Sequence, residues 1–135
     1  MNKRTQQRRF DELHNVAANV IDYRYFNMMT FGNGLSNKKS ACGTTACLAG
    51  WAGTVSYFQR LGIVMRNGSL EITGRSHGTA FADEKFREVF GTDDRMLIGM
   101  LFYADHPSGR ARVTTMNRVR NVMISLGLKA PPRAK

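Results

Sequence analysis

Near the N-terminus apolar residues recur at three- and four-residue steps. Phe10, Leu13, Ala17, Val20 and Ile21 share one face of an amphipathic helix expected to begin near Thr5, with Arg8, Glu12 and Asn15 on the outer side. Residues 23–31 are aromatic and Met-rich and predict a short strand or extended segment packed on the core. Gly32-Asn33-Gly34 breaks regular structure ahead of a polar, basic loop at 36–40. No charge occurs from Ser40 to Gln59, and this run predicts a buried central helix that starts at Gly43–Thr45 and ends at Leu61-Gly62. Two stripes would run along it: small residues at Cys42, Ala46, Gly50 and Thr54, and bulkier ones at Cys47, Trp51, Val55 and Phe58.

The pattern then changes period. Residues 63–73 read as a β-hairpin turned by Asn67-Gly68, because both turn residues tolerate positive φ. Residues 74–78 read as a loop. A third helix is expected over Thr79–Phe90, with Phe86, Val89 and Phe90 inward and Gly91 as its stop. Thr92-Asp93-Asp94 should cap a fourth helix that turns Met96, Leu97, Met100, Leu101 and Tyr103 inward. Thr114 or Thr115 should cap a fifth, with Met116, Val119, Val122, Met123 and Leu126 inward, Arg118 outward and Gly127 closing it. The fold expected is mainly α: a single-domain bundle of about five helices with one small hairpin.

Length agrees with this, since 135 residues suffice for one domain with its own core. Charge adds something the hydropathy pattern does not show. Twenty Lys and Arg against ten Asp and Glu give a net charge of +10, a surplus that favours a polyanionic or acidic partner. Part of it is concentrated at the two ends. Residues 1–9 read as a flexible basic arm carrying Lys3, Arg4, Arg8 and Arg9, and 129–135 as a mobile basic tail containing Pro131-Pro132. Two cysteines do not make a disulfide framework, and no apolar segment follows the basic N-terminus, so a cytoplasmic location is expected. The uncharged run is too diluted by Gly, Thr and Ser to be a membrane span.

Four constellations could carry chemistry. Cys42 and Cys47 are separated by about 140° on a regular helix and do not share a face. A zinc site would need two of His14, His77 and His106 as further ligands, at no spacing typical of zinc; no metal or cofactor is expected. Cys42 at a helix N-terminus beside Lys38 and Lys39 would favour thiolate and could serve as a nucleophile given a histidine base, but a small buried residue at a tight helix contact is the simpler reading. The same helix start, with Thr44, Thr45, Lys38 and Lys39, would suit an anion. Lastly, Lys3, Arg4, Arg8, Arg9, Lys38, Lys39, Arg110, Arg112, Arg118 and Arg120 form a basic set suited to a phosphate backbone.

Cys-Gly-Thr-Thr-Ala-Cys-Leu-Ala-Gly-Trp-Ala at 42–52 resembles a Cys-Gly-Thr-x-x-Cys-(Ile/Leu)-Ala-Gly-(Trp/His)-Ala signature of small uncharacterised proteins of bacteriophages and bacteria. Phe26-Asn27-Met28 is similar to a short element that precedes it, and Leu101-Phe102-Tyr103 to part of the C-terminal half. The resemblance implies a compact helical domain of phage origin and no particular activity. The expectation is therefore a non-enzymatic phage accessory protein that binds DNA, RNA or an acidic host protein through basic residues. The alternatives are an interaction protein that inhibits a host enzyme, a virion component, or an enzyme dependent on Cys42.

Overall fold

The computed structural model describes residues 1–25, 47–66, 69–72, 75–76, 79–102 and 110–135. Helix α1 spans Lys3–Asn15 and opens on Asn2, whose side chain accepts the Thr5 N–H at 2.8 Å. It runs into a π-helical turn, Val16–Val20, closed by the Ile21 N–H on the Val16 carbonyl at 3.1 Å. The residues expected as a basic arm are thus the first two turns of a helix. Phe10, Leu13, Ala17 and Ile21 are buried as their spacing requires, and Val16 joins them.

The central helix is not continuous. Cys47 is extended (φ −82°, ψ −176°) and precedes α2, Leu48–Ala52; Val55 is extended (φ −103°, ψ 132°) and precedes α3, Ser56–Gln59. The helix expected from 43–45 to 61–62 is therefore two short ones. The break has a physical reason in strand β1, Ile63–Arg66, which docks on it. The Gly53 carbonyl accepts the Met65 N–H at 2.9 Å and the Gln59 carboxamide at 3.0 Å, so it leaves the helical ladder. β-Branched Thr54 and Val55 favour that departure. Trp51, Cys47 and Phe58 are buried as predicted, whereas Thr54, assigned to the small-residue stripe, is exposed.

β1 pairs antiparallel with β2, Ser69–Ile72, in the register Ile63↔Ile72 to Arg66↔Ser69, which leaves Asn67 and Gly68 between them. A short β3, Arg75–Ser76, extends the sheet from a stretch expected as loop. Helix α4, Thr79–Phe90, ends where Gly91 takes φ +66°, and the Thr92 N–H returns to the Arg87 carbonyl at 3.2 Å. Asp94 caps α5, Arg95–Phe102, accepting the Met96 N–H at 2.9 Å.

α5 bears out part of the expected inner face, since Leu101 is buried and Leu97 packs partly buried on the core, but the face is rotated away from the two methionines. Tyr103 lies outside the described residues. Ile98, Leu101 and Phe102 are buried, while Met96 is 78% exposed and Met100 39%. Its apolar residues surround the axis, so spacing alone does not select a face. Helix α6, Ala111–Ser125, begins four residues before Thr115, which is buried inside it beside the Tyr23 phenol and is not a cap. Its end is as predicted: Gly127 at φ +73°, with Leu128 N–H on Met123 O and Gly127 N–H on Ile124 O.

These elements close on one core, and Phe90 is its junction. Its ring lies 5.1 Å from Phe10 of α1, 5.9 Å from Phe58 of α3 and 5.6 Å from Phe102 of α5, centroid to centroid. The architecture is mainly helical with a small antiparallel sheet, as the hydropathy pattern implied. Among the described residues no helix is long and apolar enough to cross a membrane.

Candidate polyanion-binding site

Lys38, Lys39, Thr44, Thr45 and Cys42 lie outside the described residues, and with them the anion and thiol readings of 42–45. Cys47 is described. It is completely buried, and burial pushes its thiol up to about 11, against the pull of nearby backbone N–H groups. A neutral, enclosed thiol is a packing residue. Among the described residues no cluster of three His, Cys, Asp or Glu side chains could hold a metal ion.

Much of the basic set has a structural use. Lys3 Nζ donates to the Leu126 carbonyl at the end of α6, at 2.6 Å. Arg9 Nη1 donates to the Val89 carbonyl near the end of α4, at 2.9 Å. Arg112 Nε donates to the Ala18 carbonyl in the π-helical turn that continues α1, at 2.9 Å. Helix C-termini present orphan carbonyls and a partial negative charge, and cations are their natural complement. Arg120 Nε donates to the Pro131 carbonyl at 3.0 Å. Part of the charge surplus is therefore committed to joining helix ends and the tail. Arg118 is half-buried on α6, and Arg110 is exposed just ahead of that helix.

Arg4 and Arg8 stand differently. Both are exposed, one helical turn apart on α1, and with Arg9, Tyr57 and the Asp11 carboxylate they line an open groove of about 510 Å³ whose wall carries three arginines against one acid. The Arg8 guanidinium lies 5.2 Å from the centroid of the Tyr57 ring, a cation–π stack that presents a flat, cationic platform. Like charges at i and i+4 repel, and cations near a helix N-terminus oppose its dipole. No acidic residue occupies the first turn of α1 to offset this. Sequence reasoning found the arginines. It missed Tyr57, which reaches them from α3, distant in the chain.

No protein-family model, curated protein or solved structure matches this chain.

Proposed function

We propose that the protein is a small, non-enzymatic phage accessory protein that binds a nucleic acid, with Arg4, Arg8 and Tyr57 as the contact point. The observation that carries this reading is the exposed Arg8 guanidinium stacked on the half-buried Tyr57 ring, beside Arg4. Two arginines on adjacent turns at the positive pole of a helix are unfavourable alone and become favourable opposite phosphates. An aromatic ring beside them offers a stacking surface to an unpaired base. The net charge of +10 supplies long-range attraction. The 42–52 motif supports a phage origin.

The test is anisotropy of short fluorescent single-stranded DNA, single-stranded RNA and duplex DNA titrated with the protein across a salt series. Binding that weakens with salt, favours single strands and drops for Arg4→Ala/Arg8→Ala supports the reading. Absence of binding at low salt would remove it.

A further inference from the structure

The C-terminal tail lies along α1 and α6 and is held in an unusual way. The Gln7 carboxamide binds both backbone groups of one residue: its Oε1 accepts the Lys129 N–H at 2.8 Å, and its Nε2 donates to the Lys129 carbonyl at 2.8 Å. Asn117 does the same to Ala134, accepting its N–H at 2.8 Å and donating to its carbonyl at 3.2 Å. Between them Arg120 donates to the Pro131 carbonyl.

The N–H and C=O of a single residue face one side only when the backbone is extended, as in an antiparallel pair. Each carboxamide thus substitutes for a neighbouring strand. All five bonds go to tail backbone, and Lys129, Pro132, Arg133 and Lys135 are exposed, while Leu128 and Ala130 pack partly buried against the core. Such a clamp recognises extended conformation more than side-chain identity. Pro131-Pro132 reduces the entropy lost when a segment is held in it. Beside the tail lies an open channel of about 540 Å³, lined in part by Asp11 and His14 of α1. Asp11 suits a basic peptide.

We propose that Gln7, Arg120 and Asn117 form a docking site for extended, basic, proline-containing peptide, and that residues 129–134 are its resident and exchangeable occupant. This site adjoins the groove at Tyr57, with which it shares Gln7 and Asp11 on its wall. A peptide supplied in trans competes with the tail, so its apparent affinity is reduced by the fraction of molecules whose tail is seated.

The probe is a fluorescent peptide of residues 128–135, titrated onto the 135-residue chain and onto its Lys129→Pro/Ala134→Pro variant. That variant lacks the two N–H donors the carboxamides accept but keeps all three clamp residues. It should bind the peptide about tenfold or more tightly than the natural chain does, since its own tail competes poorly. A peptide N-methylated at the positions of Lys129 and Ala134 should lose this binding. Equal affinity for both chains, or for both peptides, overturns the proposal.

A second measurement needs no variant. Saturating peptide added to the natural chain should accelerate amide hydrogen exchange at Lys129 and Ala134 and leave Val122 and Phe90 unchanged. Unaltered exchange at Lys129 and Ala134 means that the tail is a fixed structural element, and also overturns the proposal.

Discussion

Gln6 and Phe90 are joined twice. The Gln6 carboxamide, buried on α1, donates to the Phe90 carbonyl at 2.8 Å and to the Gly91 carbonyl at 3.1 Å. One turn further along α1, the Phe10 ring packs on the Phe90 ring. One helix therefore satisfies the orphan carbonyls at the end of α4 and fills the space beneath them. Replacing Gln6 with Leu removes both donors and buries the acceptors without partners. The expected loss is about 1–3 kcal/mol by urea denaturation. A loss near zero would mean that water serves those carbonyls equally well.

Gly53 is required for space and not for an unusual torsion, since its φ is −67°. A Cβ there would stand 2.7 Å from Met65 N and 3.1 Å from Val64 C, both backbone atoms of β1. Gly53→Ala must push the sheet away from the α2–α3 junction and break the Met65–Gly53 hydrogen bond. A loss of about 1–3 kcal/mol is expected, with amide exchange accelerated first at Met65. Gly99→Ala is the control, because nothing lies within 4 Å of a Cβ at that position. At this half-buried helix-interior position with room for a methyl group the substitution should stabilise by up to about 1 kcal/mol.

His14 should make stability depend on pH. Burial lowers its pKa, Asp11 opposes the shift and Arg112 adds to it. With the folded pKa below the unfolded one, the unfolded chain binds more protons in the interval between them. The stabilising contribution is then complete above the unfolded value of about 6.5 and is lost as pH falls through the folded value. Melting temperature should decline from pH 7 toward pH 5, and His14→Gln should flatten that decline. An unchanged slope in the variant would exclude His14 as the cause.

Periodicity made the inner faces of α1, α4 and α6 legible, and residue chemistry marked several ends: Gly91, Asp94 and Gly127 all act as their types suggest. The hairpin was visible in Asn67-Gly68. What stayed hidden depended on contacts between distant segments. Gly53 reads as one small residue among several until β1 arrives against it. Met96 and Met100 read as core because α5 is apolar all round, and only its neighbours decide that Ile98, Leu101 and Phe102 go in. For the candidate site, composition identified arginines and nothing separated those on carbonyls from those facing solvent. Gln6, a polar residue one turn before Phe10, gave no sign of burial, because its acceptors belong to a helix more than eighty residues away.

The enclosed Cys47 thiol offers a direct test of the reading that α2 is a packing element. In a Cys42→Ser chain only Cys47 can react. With its thiol held neutral by burial, alkylation by iodoacetamide at pH 8 should proceed only through unfolding, and its rate should track the unfolded fraction across a urea series. Fast labelling of the folded chain would show that the thiol is reachable and reopen a chemical role for it.

The division of the basic residues leads to the most discriminating experiment. Lys3, Arg9 and Arg112 donate to carbonyls near the ends of helical segments, whereas Arg4 and Arg8 face solvent beside Tyr57. If binding resides in that groove, Arg4→Ala and Arg8→Ala should each weaken single-stranded nucleic acid and lower the slope of log K against log salt by about 0.7. Arg4→Ala should not reduce the melting temperature, since it relieves a like-charge contact, and Arg8→Ala should change it little, because the same relief is offset by loss of the cation–π contact with Tyr57. Tyr57→Ala should weaken binding by about 1–3 kcal/mol with the salt slope unchanged, because stacking releases no counterions. Arg9→Met should behave in the opposite sense. It leaves the Val89 carbonyl short of a donor and should cost about 1–3 kcal/mol of stability, while changing the salt slope less than Arg4→Ala. A common response from all four variants would mean that the surplus charge acts as a diffuse field, and the groove at Tyr57 would lose its claim as the contact point.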